Sequence, residues 1–234
     1  MSQELWHSLA QKAGLTLNSV QTDQLNSYLD LLLLANQRMN LTRIIERGDA
    51  EVLHIGDALT LLPHLPTHAH RLSDVGAGGG VPGIVLAIVR PDIHVTLIEA
   101  TRKKAAFLRD AAAELKLSNV VVEPQRAEMI ARSTGRESFD VVAARAVALL
   151  PILVEWLLPL AKIGGVVLAM KGPTGVDELK QAEHAIGQLG GGPALPIPIE
   201  LPGTTGHLII KIPKIACTPP RLPRDPSIAK GLPI

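Results

Sequence analysis

The chain has 234 residues, a formal net charge of +1 at pH 7, 47% hydrophobic residues and only 2% aromatic residues. This length and apolar content allow one independently folded domain with a sizeable core, which excludes a wholly disordered chain and a scaffold dependent on disulfides or metals. Because the net charge is near zero, any attraction of nucleic acid must come from local clusters of Lys and Arg.

The first 70 residues lack strand-like runs and show the apolar spacing of helices. Leucines recur at intervals of three and four residues within 23–39, which predicts an amphipathic helix capped by Asp23 or Thr22. A second amphipathic stretch covers 50–62. We expect both leucine-rich faces to pack against the domain that follows. The sequence therefore predicts an N-terminal helical segment over 1–70.

From residue 71 onwards, short apolar runs alternate with helical segments. The five predicted strands are 72–75, 94–98, 120–123, 139–143 and 166–170. The predicted helices are 83–89, 103–115, 128–132, 149–160 and 176–189, and the run 208–212 is expected to close the sheet as an edge strand. This alternation predicts a mostly parallel, doubly wound α/β sheet over 71–217 that binds ligands at the carboxyl ends of its strands.

The longest apolar run, 146–161, is too short to cross a membrane and is interrupted by Pro151, Glu155 and Pro159. The single cysteine, Cys217, cannot form an intramolecular disulfide, which indicates a reducing, cytoplasmic location. The segment 218–234 contains five prolines and three basic residues, and we expect an extended basic tail without a core.

The most informative stretch is 74–83, which contains five glycines in ten residues between a predicted strand and a predicted helix. Glycines permit positive φ angles and close approach of a ligand to the backbone, and the helix that follows offers free N–H groups. Glu99, at the end of the second strand, is well placed to accept hydrogen bonds from ribose hydroxyls. The pattern predicts a site for a nucleoside-bearing cofactor.

Two cofactor classes fit this pattern. Gly78, Gly80 and Gly83 spell G-x-G-x-x-G, which by itself is a weak signal for a nicotinamide or flavin dinucleotide. Asp74 precedes the loop, however, and a carboxylate beside a pyrophosphate is repulsive, whereas it is favourable near the sulfonium and amino group of S-adenosylmethionine. The charge pattern favours the methyl donor.

Basic residues suggest where nucleic acid binds. Lys103 and Lys104 begin the helix after the second strand, and Arg221, Arg224 and Lys230 lie in the tail. These five are candidate phosphate contacts, because basic residues on a proline-stiffened arm suit backbone contacts better than a core. His64, His68 and His70 show no spacing typical of a metal site, so no metal is predicted.

Several motifs together resemble one family, the bacterial 16S ribosomal RNA guanine-N7 methyltransferases (RsmG, also called GidB). The matching pieces are Asn40-Leu41-Thr42, His54-Ile55-Gly56-Asp57, the glycine loop with Pro82-Gly83, Arg126-Ala127-Glu128, Arg145-Ala146-Val147-Ala148 and Lys171-Gly172. The resemblance implies a Rossmann-like class I methyltransferase that uses S-adenosylmethionine to methylate N7 of a guanine in the 530 loop. The implied partner is 16S rRNA or the small ribosomal subunit, bound by a monomer without metal or membrane.

The resemblance also implies roles for individual residues. Gly76, Gly78 and Val81 match positions that contact the methionine part of the cofactor, and Glu99, Ala100 and Thr101 match the ribose segment. Ala127 and Glu128 match the segment beside the adenine, and Arg145 and Arg126 match arginines of the site, expected to serve catalysis. Arg145 is expected to clamp either an RNA phosphate or the cofactor carboxylate.

The chain departs from the family pattern at Val81, where Phe or Tyr is usual, at Ala144, where Ser is usual, and at His207, where Arg is common. Two other functions stay open at this point, and the departures at Val81 and Ala144 motivate the second. One is an NAD(P)-dependent oxidoreductase, and the other is a noncatalytic module of the same fold that binds RNA or ribosomes.

Overall fold

The computed structural model describes residues 2–229 and 232–234. Helix α1 spans Ser2–Lys12 and helix α2 spans Ser19–Met39. Helix α2 begins four residues before the predicted start, because Asn18 caps it: the Asn18 side chain accepts from the Gln21 N–H, and the Gln21 side chain accepts from the Asn18 N–H. The predicted cap at Asp23 or Thr22 is wrong.

The predicted helix over 50–62 is a composite of four short helical pieces. It runs through α3 (Arg47–Ala50), a π-helical turn (Glu51–Gly56), α4 (Asp57–Leu59) and a 3₁₀ turn (Leu62–His64). A π-helical turn carries more residues per turn than an α-helix, so it changes which side chains share a face.

The sheet has seven strands in the order β3-β2-β1-β4-β5-β7-β6. The strands are β1 Arg71–Val75, β2 His94–Ile98, β3 Val120–Glu123, β4 Phe139–Arg145, β5 Ala161–Lys171, β6 Leu195–Pro198 and β7 Leu208–Pro213. The first five pair in parallel, and β7 lies antiparallel between β5 and β6. The predicted parallel α/β class is confirmed, but β7 is not the edge: β6, which has prolines at two of its four positions, takes that place.

The helices after β1 lie within one to three residues of their predicted bounds. They are α5 Gly83–Val89, α6 Arg102–Glu114, α7 Ala127–Ala131, α8 Leu150–Leu157 and α9 Gly175–Gln188, followed in the tail by α10 Pro226–Ala229. Pro82 stands just before the first helical residue of α5 rather than at it.

Two hydrophobic cores lie on the two faces of the sheet. Along β4, Val141 and Ala143 belong to the core formed with α1, α2, α5 and α6, whereas Val142 and Ala144 belong to the core formed with α7, α8 and α9. Successive residues of a strand point to opposite faces, so a strand covered on both sides is apolar throughout. This explains why the strands appear in the sequence as continuous apolar runs.

The N-terminal helices pack on the sheet domain, where α2 contacts α5 and α6. Leu25, Tyr28, Leu29 and Leu32 of α2 are buried in the same core as the strand residues, which confirms the predicted packing of this leucine-rich face. The boundary at residue 70 stays a prediction, and helices on its two sides share one core.

The tail is docked on the domain, contrary to the predicted coreless arm. Leu222 is buried in the second core. The Arg136 guanidinium donates hydrogen bonds to the carbonyls of Thr218, Pro219 and Leu222. Arg224 forms a bidentate ion pair with Glu155 of α8, whose side chain is only 3% exposed. The docked tail thus supplies a partner for a carboxylate that would otherwise be buried without one.

Across residues 2–229 and 232–234, no helix is both long enough and apolar enough to span a bilayer. In the same part of the chain, no group of three or more His, Cys, Asp or Glu side chains could hold a metal ion.

Candidate active site

A cavity of about 1570 Å³ opens at the carboxyl ends of the central strands. Ligand pockets typically measure roughly 300–1,000 Å³, so this cavity has room for a cofactor and part of a second ligand. The predicted site residues that line it are Gly76, Gly78, Val81, Glu99, Ala100, Lys104, Arg126, Ala127, Glu128 and Arg145. The structure therefore brings ten of the predicted residues together at the topological switch between β1 and β4, where α/β folds bind their ligands.

The glycine loop turns sharply between β1 and α5. Gly76 has a φ of 70°, and a Cβ atom there would lie 2.7 Å from the Val147 side chain of the loop after β4. The position therefore requires glycine both for its backbone conformation and for the close packing of two loops. On the side of the loop that faces α2, Tyr28 donates a hydrogen bond to the Gly79 carbonyl at 2.7 Å.

Asp74 supports this loop from inside the protein. Its side chain is fully buried and does not line the cavity, and Oδ2 accepts a hydrogen bond from the Gly83 N–H at 2.8 Å. Burial raises the pKa of Asp74 from 3.8 to about 7; Glu99 also raises it, whereas the Gly83 N–H and Arg145 lower it. In this structure the glycine loop covers Asp74, and its contact with a cofactor stays a prediction.

Glu99 is held rigidly at the end of β2. Its Oε2 accepts from the Gly78 N–H at 2.9 Å, and its Oε1 accepts from the Thr101 N–H at 2.7 Å. Each carboxylate oxygen has a second lone pair, so Glu99 can accept two further hydrogen bonds from a ligand in the cavity. Thr101 does not line the cavity, but its backbone N–H holds Glu99, and its own contact with a cofactor stays a prediction.

The opposite side of this subsite is the start of α7. Ala127 and Glu128 line the cavity and are buried, and Arg126 lies at the mouth with 62% of its side chain exposed. Arg126 Nη1 is 4.0 Å from Glu128 Oε1, a distance at which an exposed pair contributes little stability. Arg126 is thus available to a ligand at the rim.

Arg145, at the end of β4, is bound by the π-helical turn and α4. Its Nη1 donates to the Leu53 carbonyl at 2.6 Å and pairs with Asp57 Oδ2 at 3.1 Å, and its Nη2 lies 3.0 Å from His54 Nδ1. Both terminal nitrogens are therefore engaged within the protein. Nε–H and the second Nη2–H have no acceptor among the described hydrogen bonds, so the clamp on a phosphate or carboxylate stays a prediction.

His54, Asp57 and Thr42 are cavity residues to which sequence reasoning assigned no role. Burial, and next the Arg145 guanidinium, lower the pKa of His54 to about 3 against a small opposing effect of the Leu53 carbonyl. His54 Nε2 lies 3.1 Å from Thr42 Oγ1. The motifs around 40–42 and 54–57 were the available signal, but nothing local shows that they meet Arg145 about 90 residues later.

The three departures from the family pattern have different surroundings. Val81 lines the cavity, and Ala144 is fully buried in the sheet. His207 lines the cavity on the β6–β7 connection, with Nδ1 3.9 Å from Asp57 Oδ1.

The predicted RNA-binding residues do not form one surface. Lys104 lines the cavity, whereas Lys103 is exposed on α6 outside it. Arg221 is exposed on the tail, and Arg224 is bound to Glu155, so the RNA contact of Arg224 stays a prediction. Lys230 lies outside the described residues.

Comparisons with known proteins agree with this architecture. The chain is similar to the ribosomal RNA small subunit methyltransferase G of Limosilactobacillus reuteri, with 39% identity over 240 residues and 100% of both chains covered. It is 41% identical over 222 residues to the protein of the same name from Chloroflexus aggregans, covering 94% of this chain and 93% of the relative.

Two solved structures share the fold. One is an S-adenosylmethionine-dependent O-methyltransferase from Thermotoga maritima, with a TM-score of 0.52, 18% identity, and coverage of 80% of this chain and 72% of that one. The other is the ribosomal protein L11 methylase from Lactobacillus delbrueckii subsp. bulgaricus, with a TM-score of 0.53, 15% identity, and coverage of 70% and 79%. A family model described as rRNA small subunit methyltransferase G (GidB) matches residues 21–199. The chain belongs to the rRNA small subunit methyltransferase G family.

Proposed function

We propose that this chain transfers a methyl group from S-adenosylmethionine to N7 of a guanine in the 530 loop of 16S ribosomal RNA, acting as a monomer in the cytoplasm. The observation that supports the proposal most directly is membership of the family, with a rigidly held Glu99 carboxylate facing a glycine-lined cavity.

The cavity residues suit S-adenosylmethionine. Glu99 has free acceptor positions for two ribose hydroxyls. Ala127 and Glu128 line the cavity, and we expect the adenine to bind beside them. The turn at Gly76 and Gly78 leaves room for the methionine part. When bound, the cofactor supplies an electrophilic methyl group on a positively charged sulfur, and the acidic side chains in the wall suit that charge.

Guanine N7 has a lone pair and no proton, so it can attack a sulfonium methyl without a general base. The protein then contributes by aligning the reactants and by its electrostatics. Asp57 neutralises Arg145 within the wall, so the guanidinium does not oppose the positive charge that appears on the methylated base. Arg145 thus serves the reaction as a positioning residue that shapes the wall.

Two basic residues at the cavity are free to meet RNA phosphates. Arg43, on the loop after α2, and Lys104, on α6, both line the cavity and have no ion-pair partner in the described part of the chain. With Arg126 they place three cations around the opening. Phosphate contacts position the substrate, and the base is recognised deeper inside.

The two other functions predict different behaviour. An oxidoreductase needs a Tyr, Lys or His proton donor near the nicotinamide. The only tyrosine, Tyr28, is buried beneath the glycine loop and bound to Gly79, so the donor would have to be a Lys or His of the cavity. A noncatalytic module would bind ribosomal RNA without turnover.

The first experiment is calorimetric titration of the protein with S-adenosylhomocysteine, NAD and NADP. We expect saturable binding of S-adenosylhomocysteine only, weakened about tenfold in Glu99→Gln because an amide cannot accept the same hydrogen bonds. Glu123→Gln is the matched control, since Glu123 ends the neighbouring strand but does not line the cavity. Binding of a dinucleotide alone would contradict the proposal.

Labelled-methyl transfer to small subunits that lack the modification tests the reaction itself. We expect label at N7 of one guanine in the 530 loop. Cofactor binding with no transfer to subunits or to naked 16S rRNA would support the noncatalytic module instead.

A further inference from the structure

A chain of three polar side chains leads from the sheet to the cavity. Arg145 Nη2 lies 3.0 Å from His54 Nδ1, and His54 Nε2 lies 3.1 Å from Thr42 Oγ1. Thr42 Oγ1 also accepts a hydrogen bond from the Ile44 N–H at 3.0 Å. Arg145, His54 and Thr42 take part through their side chains, and Ile44 through its backbone N–H. All four residues line the cavity.

The positions of the protons follow from the chemistry of each group. A guanidinium only donates, so His54 Nδ1 must accept from Arg145. Burial and Arg145 keep the pKa of His54 near 3, so the imidazole is neutral and carries its single proton on Nε2. His54 Nε2–H therefore donates to Thr42 Oγ1.

Thr42 Oγ1 thus accepts two hydrogen bonds, one from His54 and one from Ile44, which fills both of its acceptor positions. Its own proton has no acceptor among the described hydrogen bonds. A hydroxyl normally rotates to donate or accept as its partner requires. Thr42 has lost that freedom and can only donate to a group that enters the cavity.

We propose that Thr42 donates this hydrogen bond to O6 of the target guanine and so selects guanine against adenine, an inference that rests on the proposed methylation of guanine N7. N7 and O6 are adjacent acceptors on one edge of guanine, so a donor at O6 lies beside the methylated atom. Adenine also has N7 but presents an N6 amino donor where guanine has O6. A hydroxyl that can only donate repels that amino group. Arg43, next to Thr42 in the chain, is free to hold a phosphate at the rim.

The test compares small subunits that carry guanine or 2-aminopurine at the target position. 2-Aminopurine keeps N7 but lacks O6. We expect the wild-type protein to favour guanine about ten- to a hundredfold in kcat/KM, because the donor is left unpaired beside 2-aminopurine. In Thr42→Val this ratio should fall to about one at unchanged affinity for S-adenosylhomocysteine, and Thr42→Ser should restore it.

Thr204→Val is the matched control. Thr204 lines the same cavity, but its hydroxyl already donates to the Leu201 carbonyl at 3.0 Å, so the base ratio should stay at the wild-type value. If Thr42→Val only reduced the folded fraction, the rates with guanine and with 2-aminopurine would fall equally and their ratio would not change.

Three results would overturn the inference. One is a Thr42→Val protein with the wild-type base ratio, and another is a fall in S-adenosylhomocysteine affinity that accounts for the lost rate, which would assign the hydroxyl to the cofactor carboxylate. The third needs no variant: if the wild-type protein methylates 2-aminopurine as efficiently as guanine, it makes no contact with O6. Wild-type protein that methylates no guanine at N7 refutes the proposed function itself.

Discussion

Asp74 should make the free energy of unfolding depend on pH in a way that Asp74→Asn removes. Burial raises its pKa in the folded protein from 3.8 to about 7, and unfolding returns the carboxyl to water. The folded state then binds the proton more tightly than the unfolded state. The contribution of Asp74 to the free energy of unfolding is therefore fully present below about pH 4 and is lost as the pH rises through about 7.

The size of the effect follows from the two pKa values. Their difference is about three units, and each unit corresponds to about 1.4 kcal/mol, so the full loss is about 4 kcal/mol. Most of it falls between about pH 5 and pH 7, where the free energy of unfolding should decrease by about 2 to 3 kcal/mol relative to Asp74→Asn.

Urea unfolding of both proteins at intervals from about pH 5 to pH 8 measures this difference, because contributions from all other groups cancel. Asp92→Asn is the control. The Arg90 guanidinium beside Asp92 lowers the pKa of that carboxyl, so its stabilising effect is lost only at more acidic pH and stays constant over this range. Parallel pH profiles for wild type and Asp74→Asn, agreeing within about 0.5 kcal/mol, would refute the assigned cause.

Three further predictions concern the glycine loop, the docked tail and the rim of the cavity. Tyr28→Phe leaves the Gly79 carbonyl without its donor, so unfolding should cost about 1 kcal/mol less and S-adenosylhomocysteine should bind several-fold more weakly in calorimetry. Arg224→Ala leaves the buried Glu155 carboxylate unpaired and should destabilise the protein by about 3 kcal/mol in urea unfolding. Lys104→Ala should reduce the slope of log affinity for small subunits against log salt by about one, with cofactor binding unchanged.

Each of these has a result that would count against it. An unchanged cofactor affinity in Tyr28→Phe would mean that the loop holds its shape without α2. Arg221→Ala, an exposed neighbour on the tail, should leave stability unchanged, so equal effects of the two tail variants would argue against the Glu155 ion pair. A salt slope that stays constant in Lys104→Ala would remove this residue from the RNA interface.

The parts of the fold that the sequence predicts well are those determined locally. The turn at 74–83 needs glycine wherever it occurs, and strands buried on both faces must be apolar along their whole length. The order in which such strands alternate with helices then limits the topology to few possibilities. The Glu99 position at a strand end was predictable for the same reason.

What the sequence could not predict depends on contacts between distant residues or on small differences in period. Over the six residues of the π-helical turn, Glu51–Gly56, the apolar pattern does not differ enough from that of an α-helix to be recognised. Glu155 and Arg224 are separated by 69 positions, and charged residues taken singly are expected at the surface. Strand β6 was missed because Pro196 and Pro198 are typical of loops.

Those two prolines also limit how this molecule can associate with copies of itself. A sheet edge ordinarily offers unpaired N–H groups to any extended chain, but half of the residues in β6 have no N–H to donate. The other edge, β3, has only four residues and is followed at once by Pro124. Addition of a further strand is therefore blocked at the β6 edge, and the β3 edge offers only a short stretch for pairing. We expect concentrated solutions to stay free of fibrillar assemblies.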